Sequence, residues 1–288
     1  MKQKDYLAYQ KEARALTLLM IYTARSGHPG GSLSVIDILS VLANEFLEWD
    51  ENYKHEFDKN ALILSKGHAC PALYAVAAMN GLINKDEITS FRKINSRLQG
   101  HPDVKQLPWL GSSTGSLGQG FSVGIGNAIA AQNLGVTKNV FTILGDGELQ
   151  EGQIWEGAMV AAHHNVSNLC AIIDYNKMQS DDLNINISNL EPLGDKWSSF
   201  GWNVIEINGH DINEIYNSID ESISNQNMPS VIIANTIKGK GVKYMENVPK
   251  WHGSVTMSYE ELELSFSDIG YEKEEFQSFL NKYGVNKL

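Results

Sequence analysis

The sequence is short of three things, which are long hydrophobic runs, cysteine and positive charge. No apolar run reaches membrane-spanning length and the first residues are polar, so we expect neither a transmembrane helix nor a signal peptide. The formal net charge is −11 at pH 7, which argues against a nucleic-acid partner. The two cysteines, Cys70 and Cys170, lie in apolar contexts without metal-ligand spacing, which predicts reduced, buried thiols in a cytoplasmic protein.

Short apolar runs rich in β-branched residues alternate with helix-forming stretches along the chain. Five of these runs have the length of buried strands, and they cover residues 61–64, 139–144, 169–173, 203–207 and 230–234. Strands that alternate with helices form a parallel sheet, so we predict an α/β fold of about five parallel strands with helices on both faces. We see neither an internal repeat nor a low-complexity linker. We therefore predict a single domain over residues 1–288, in which residues 251–288 form a polar, acidic tail with a short helical part.

Local signals predict where several helices begin and end. Ser32 or Ser34 is expected to cap the second helix, and Asn84 with Glu87 resembles a capping box. A helix without proline is expected from residue 148 to residue 164.

Two polar residues follow the two central strands at the point where each strand ends. Asp146 lies in a Gly-Asp-Gly turn, and Asn176 lies thirty residues further along, after the next strand. Because the carboxyl ends of neighbouring parallel strands lie side by side, both side chains should face one crevice. A carboxylate and an amide oxygen suit Mg²⁺ or Ca²⁺ better than zinc. A Gly-Asp-Gly sequence alone is also typical of an ordinary tight turn, but with the asparagine it predicts a site for Mg²⁺ and a diphosphate group.

The segment from Gly145 to Asn176 resembles the metal and diphosphate motif of the thiamine diphosphate enzymes. Its first part, Gly-Asp-Gly-Glu-Leu-Gln-Glu-Gly at residues 145–152, is similar to transketolase. The resemblance runs from about Gly27 to His252 and covers the amino-terminal, diphosphate-binding half of a full-length transketolase. The sequence is most similar to the amino-terminal subunit of a split transketolase. This resemblance implies the thiamine diphosphate-binding fold, with thiamine diphosphate and Mg²⁺ as cofactors, and Ca²⁺ or Mn²⁺ as substitutes for Mg²⁺.

Four histidines beside glycines match functional positions of that family. The resemblance implies that His28 and His101, each in a Gly-His-Pro sequence, contact the donor sugar and take part in catalysis. It also implies that His68 contacts the cofactor diphosphate, and that the catalytic His252 lies near both the diphosphate and the substrate. An imidazole can donate or accept a proton near neutral pH, which sugar chemistry requires. His210 also follows a glycine and is expected in the loop before a helix.

The remaining site residues are carried over from the family in the same way. The metal ligands implied by the resemblance are Asp146, Asn176 and the backbone carbonyl of Met178. The implied cofactor-binding residues are His68, Gly115, Leu117, Gly147, Glu151, Glu156, Asn176 and His252. Within that set, Gly115 and Leu117 match residues beside the cofactor rings, and the two glutamates match a carboxylate network across a subunit interface.

The resemblance implies transfer of a two-carbon ketol unit from a ketose or ketose phosphate to an aldose. In the family, the glutamate that activates the cofactor lies in a pyrimidine-binding domain, for which 288 residues leave no room. We therefore expect a carboxyl-terminal partner subunit of about 300 residues, in a symmetric assembly with two copies of each chain. The chain has only four arginines, so a bidentate clamp for a substrate phosphate is not obvious, which also points to a second chain.

Two alternatives stay open at this point. The chain could belong to another thiamine diphosphate enzyme, such as a 1-deoxyxylulose-5-phosphate synthase or a 2-oxo acid dehydrogenase component. It could also be a non-catalytic subunit that keeps the cofactor site. The sequence does not identify the sugar pair, because phosphorylated, sulfonated and branched sugars all fit these motifs.

Overall fold

A parallel β-sheet forms the centre of the protein, whose computed structural model describes residues 5–285. The strands are β1 (Ala61–Leu64), β2 (Val140–Gly145), β3 (Leu169–Tyr175), β4 (Asn203–Asn208) and β5 (Ser230–Asn235). They lie side by side in the order β1-β2-β3-β5-β4, and every neighbouring pair is parallel. The predicted α/β fold with about five parallel strands is confirmed.

Helices cover both faces of the sheet, as the sequence predicted. They are α1 (Tyr6–Ala24), α2 (Pro29–Val41), α3 (Cys70–Met79), α4 (Gln119–Leu134), α5 (Gly152–His163), α6 (Asn184–Ile187), α7 (Leu193–Ser199), α8 (Ile212–Ser224), α9 (Tyr259–Asp268) and α10 (Lys273–Lys282). A π-helical turn, Leu42–Phe46, continues α2, and short 3₁₀ helices occupy Gly67–Ala69, Lys85–Ser90, Gly147–Gln150 and Pro249–Trp251. Within residues 5–285, none of these helices has the length and apolar character needed to cross a bilayer.

Successive side chains along each strand point to opposite faces of the sheet, and each face packs into its own hydrophobic cluster. In β2, Phe141 and Ile143 join the cluster that contains α1, α2, α3, α8, α9 and α10. Val140 and Leu144 point the other way and join the cluster that contains α4, α5 and α7. This alternation explains the near-continuous apolar strands, because a parallel sheet covered on both faces buries every side chain in its centre.

The segment predicted as a polar tail contributes buried aromatic side chains. Residues 251–285 contain α9 and α10, and Phe266 and Phe276 from these helices are buried in the same cluster as Leu16 of α1. The division of the chain into one domain and a tail stays a prediction, and residues 286–288 of that tail lie outside the described residues.

Several predicted helix ends are wrong, for identifiable reasons. Helix α2 begins at Pro29, whose fixed backbone angle suits the first helical position, so Ser32 and Ser34 lie inside the helix and do not cap it. Asn84 does cap the next segment, by accepting a hydrogen bond from the backbone of Asp86 at 3.0 Å, but that segment is a 3₁₀ helix. No capping box forms there, because the Glu87 carboxylate binds Arg97 instead.

The helix predicted from residue 148 to residue 164 is divided in two. A 3₁₀ turn, Gly147–Gln150, comes first, and α5 begins only at Gly152. The buried Glu148 carboxylate accepts hydrogen bonds from the backbone of Gly118 at 2.7 Å and of Gly145 at 3.0 Å. These bonds hold the turn after β2 against the amino end of α4, so the chain cannot continue directly into a regular helix.

Candidate functional site

A cavity of about 350 Å³ opens at the carboxyl ends of the strands. It brings together ten of the twelve residues that the sequence predicted for the site, and these are His28, His68, Gly115, Leu117, Asp146, Gly147, Glu151, Asn176, Met178 and His252. A larger depression of about 850 Å³ near Trp49 and Tyr53 has no histidine in its lining and contains none of these residues. The smaller cavity is therefore the candidate site.

Two of the predicted residues, His101 and Glu156, do not line the cavity. His101 is exposed, and its ring lies 3.5 Å from the position that a side chain on Gly115 would take, which places it beside the cavity. Glu156 is exposed on the surface of α5, five residues after Glu151. The roles that the sequence assigned to these residues stay predictions.

Three oxygen donors converge where β2 and β3 end. Asp146 is 1% exposed, and its carboxylate accepts hydrogen bonds from the backbone of Gly147 at 2.8 Å and from that of Lys177. Burial, and after it the nearby charge of Asp174, raises the pKa of Asp146 to about 7, although the two backbone hydrogen bonds act in the opposite direction. The amide of Asn176 and the carbonyl of the buried Met178 lie beside it in the cavity wall. One buried carboxylate with neutral oxygen donors suits a hard divalent cation such as Mg²⁺.

A buried ion pair that the sequence did not predict lies beneath these donors. The Lys66 ammonium, after β1, binds the Asp174 carboxylate, at the end of β3, and both side chains are at most 2% exposed. Asp174 also accepts hydrogen bonds from the hydroxyls of Ser34 and Thr236, and from the Asn176 amide at 3.4 Å. Burial raises the pKa of Asp174, but Lys66 and the hydroxyls outweigh that effect and the net shift is downward. The pair ties α2, β1 and β3 together under the cavity.

A second buried lysine, also missed by the sequence argument, lies in the cavity wall. The Lys238 ammonium donates to the carbonyls of Met178 at 3.3 Å and Gln179 at 3.0 Å, and it lies 2.7 Å from Nδ1 of His252. Burial lowers the pKa of Lys238 to about 8, so the group keeps most of its charge at neutral pH. Because Lys66 is paired with Asp174, Lys238 is the lysine that offers this end of the cavity a positive charge suited to an anionic group such as a diphosphate.

Three histidine rings are grouped in the cavity wall. The ring centroids of His28 and His68 are 5.1 Å apart. The ring centroid of His252 lies 5.9 Å from that of His28 and 5.7 Å from that of His68. Burial lowers the pKa of His28 to about 4 and that of His252 to about 3, and it lowers the pKa of His68 well below its ordinary value. Neighbouring positive charges from Arg92, Lys238 and Lys66 act in the same direction. The three imidazoles are therefore neutral near pH 7, and each offers one donor and one acceptor nitrogen.

His210, the remaining histidine that follows a glycine, has a structural partner. Its Nδ1 lies 2.7 Å from the Asp37 carboxylate, and its Nε2 accepts a hydrogen bond from the backbone of Ile237 at 2.9 Å. It lies in the loop before α8, as the sequence predicted, and it supports the backbone next to Lys238.

Cys70 and Cys170 are both free and buried, as expected.

The fold and the site together define an α/β protein whose cleft suits a divalent cation and a diphosphate. Residues 7–283 match the family model described as transketolase, thiamine diphosphate binding domain. The chain therefore belongs to this family, and the resemblance inferred from its motifs is confirmed.

Two groups of curated relatives differ in how much of their length this chain covers. A 6-deoxy-6-sulfo-D-fructose transketolase subunit from Clostridium sp. (strain MSTE9) is 42% identical over 81% of this chain and 85% of its own length. An apulose-4-phosphate transketolase subunit from Phocaeicola vulgatus is 35% identical over 90% of this chain and 93% of its own length. Human transketolase is also 35% identical, over 80% of this chain, but the match covers 36% of that protein.

Solved transketolases have the same fold in one part of their chains. The transketolase of Campylobacter jejuni superposes with a TM-score of 0.86 and 28% identity, over 98% of this chain and 46% of that chain. The Leishmania mexicana enzyme gives a TM-score of 0.82 with 26% identity, over 98% and 42% of the two chains. This chain thus spans less than half the length of these solved enzymes, but most of the length of the relatives named as subunits.

Proposed function

We propose that this chain is the thiamine diphosphate-binding subunit of a transketolase built from two kinds of chain. In this proposal the assembled enzyme transfers a two-carbon ketol unit from a ketose to an aldose. The observation that carries the proposal is the composition of the cavity, which combines buried oxygen donors, two lysines and three neutral histidines at one sheet edge. The oxygens suit Mg²⁺, Lys238 suits a diphosphate, and the histidines suit sugar hydroxyls.

Each part of the cofactor has residues that would hold it. The Mg²⁺ ligands would be Asp146, Asn176 and the Met178 carbonyl, and the same oxygens would accept Ca²⁺ or Mn²⁺. The backbone of Gly147, with His68, would donate hydrogen bonds to the diphosphate. The remaining contacts, to the rings or through the carboxylate network, would come from Gly115, Leu117, Glu151, Glu156 and His252.

When bound, thiamine diphosphate supplies a nucleophilic carbon and an electron sink for the ketose carbonyl. This chain's own contribution is to hold and move protons at the sugar hydroxyls. His28 and His252 lie in the cavity wall as neutral imidazoles, and His101 lies at its margin. A neutral imidazole can accept a hydroxyl proton at one nitrogen and donate a hydrogen bond from the other, which suits the cleavage of a carbon–carbon bond next to a hydroxyl.

A partner chain is part of the proposal. The relatives that match over most of their length are named as transketolase subunits, whereas the longer transketolases extend well beyond the matched region. We infer a pyrimidine-domain partner of about 300 residues, with two copies of each chain in a symmetric assembly. Sugar phosphates or related anionic sugars are the proposed substrates, because two relatives of the chain are named for 6-deoxy-6-sulfo-D-fructose and for apulose-4-phosphate.

The product distinguishes the transketolase from its rivals. The chain and its candidate partner are mixed with Mg²⁺ and thiamine diphosphate, and the products of a ¹³C-labelled ketose donor and an aldose acceptor are followed by NMR. A transketolase converts the acceptor into a ketose two carbons longer and releases no carbon dioxide. In a parallel mixture with pyruvate in place of the ketose, release of carbon dioxide would indicate a synthase or dehydrogenase component instead. Cofactor binding without turnover in either mixture would indicate a non-catalytic subunit.

A further inference from the structure

Arg92 lies behind two of the proposed catalytic histidines without a carboxylate partner. Its Nη1 donates a hydrogen bond to the Ser26 hydroxyl at 2.5 Å, and its Nη2 lies 3.5 Å from Nδ1 of His28. Its Nε is buried and has no hydrogen-bond partner. Among the ion pairs formed by residues 5–285, none involves Arg92. A half-buried guanidinium without a counter-charge is uncommon, because the desolvation of its buried Nε is not offset by an ion pair.

The backbone also holds Arg92 in an unfavourable conformation. Its φ angle is +59°, in the left-handed region that favours glycine. The conformation is fixed by a hydrogen bond from its backbone N–H to the Leu98 carbonyl at 2.9 Å, which closes the loop before His101. Strain of this kind persists where the surroundings determine the position of a side chain.

Gly100, in the second Gly-His-Pro sequence, makes room for the guanidinium. A Cβ atom at this position would lie 2.8 Å from Nε and 3.3 Å from Cζ of Arg92, which is too close without a movement of the side chain. The close approach of the Arg92 side chain therefore explains why residue 100, just before His101, is a glycine. It lets one guanidinium lie beside both His28 and His101, and the charge of Arg92 lowers the pKa of each, after the larger effect of burial.

A guanidinium has five N–H donors and no acceptor, and it does not lose its proton in proteins. The Nδ1 atom of His28 faces this donor, so it can only offer its lone pair. A neutral imidazole that is unprotonated at Nδ1 carries its proton on Nε2. The Nε2 edge of the His28 ring faces Gly253, where it lies 2.4 Å from the position of an added Cβ, on the side away from Arg92.

We propose that Arg92 is a positioning residue that keeps the proton of His28 on Nε2, so that His28 acts as a hydrogen-bond donor in the cavity. Other charged or titratable groups that act on His28 are His101 and Lys238, and the rings of His68 and His252 lie against it. Each of these is neutral or positive, so none favours a proton on Nδ1. The use of this donor in catalysis rests on the proposed function, whereas the location of the proton does not.

The location of the proton can be measured on the full chain without cofactor or partner. We would label the histidines with ¹⁵N, assign His28 by its loss in a His28→Gln variant, and record two-bond ¹H–¹⁵N correlations from about pH 8 to pH 5. The expected wild-type spectrum shows an unprotonated Nδ1 and a protonated Nε2 for His28 throughout this range. A proton on Nδ1, or a mixture of both tautomers, would overturn the proposal, and this readout is taken on the wild-type chain, with the His28→Gln variant used only for the assignment.

Two substitutions of Arg92 separate its donor function from simple packing. Arg92→Lys keeps a donor without an acceptor, and we expect the Nε2 proton to stay. Arg92→Gln offers a carbonyl oxygen that can accept from Nδ1, so we expect a shift toward the Nδ1–H tautomer and a higher pKa for His28. Arg97→Gln is the matched control, because Arg97 lies in the same loop and binds Glu87 instead. An unchanged spectrum in Arg92→Gln would contradict the assignment.

Activity gives an independent readout in the assembled enzyme. Arg92→Gln should lower kcat by about 10²-fold, the typical effect of a misplaced catalytic group, while thiamine diphosphate affinity stays the same. Arg92→Lys should restore part of this loss, and Gly100→Ala, which displaces the guanidinium, should reproduce the tautomer change. If the spectrum behaves as expected but the assembly has no ketol-transfer activity, the proposed function fails and the role of Arg92 in placing the proton stands.

Discussion

The buried Lys66–Asp174 pair should be the most sensitive point beneath the site. Lys66→Met removes the charge that compensates Asp174, which is completely buried and keeps only the hydroxyls of Ser34 and Thr236 and a long contact with Asn176 as partners. Removing one partner of a buried ion pair typically costs about 3–5 kcal/mol, out of a total stability of about 5–15 kcal/mol. Lys66→Met should therefore lose a large fraction of the free energy of unfolding, measured by urea denaturation at neutral pH.

The double variant and a surface control make this prediction sharp. Lys66→Met combined with Asp174→Asn removes both charges, so it should be more stable than Lys66→Met alone by about 2 kcal/mol. Lys85→Met breaks a half-exposed pair with Glu12 and should cost less than about 1 kcal/mol. The reasoning would be refuted if Lys66→Met cost no more than Lys85→Met, or if the double variant were the least stable of all.

Three further predictions concern the cofactor and the histidines. Calorimetry on the assembled enzyme should show that Asp146→Ala abolishes Mg²⁺-dependent binding of thiamine diphosphate and that Asn176→Ala weakens it. Normal binding by the Asp146→Ala variant would disprove the metal site. His101→Ala should slow turnover by about 10²–10⁴-fold with nearly unchanged cofactor affinity, whereas His68→Ala should weaken cofactor binding, and the reverse pattern would exchange their roles. Because burial lowers the pKa of His28 to about 4, the folded state binds fewer protons than the unfolded state below about pH 6.5. Acid should therefore destabilise the wild type more than His28→Gln, and equal losses in urea titrations at pH 7 and pH 5 would contradict this.

The sheet and the central pair of site residues were predictable because their signals are local. Each strand is a short apolar run, and the rule that parallel strands present their carboxyl ends at one edge brings Asp146 and Asn176 together. The structure places both residues in one cavity, as this rule requires. The motif around them was sufficient to identify the family that the comparison confirms.

The charged residues beneath and behind the cavity were not predictable in the same way. Lys66 and Asp174 are 108 positions apart in the sequence, and Arg92 and Ser26 are 66 apart, so only the tertiary fold shows that they meet. A lysine or an arginine in a sequence is most simply read as a solvated surface residue. The short Lys-Gly-Lys-Gly sequence after β5 was a signal that could have drawn attention to Lys238, because glycines let a backbone approach a cavity closely.

The most direct test of the central claim is a titration of this chain with its candidate partner. Ketol-transfer activity is measured at saturating Mg²⁺ and thiamine diphosphate while the partner concentration increases from zero, and sedimentation gives the mass of the complex. We predict no activity for either chain alone, and a rise that reaches its plateau at one partner per chain. Full activity of this chain before any partner is added would contradict the account.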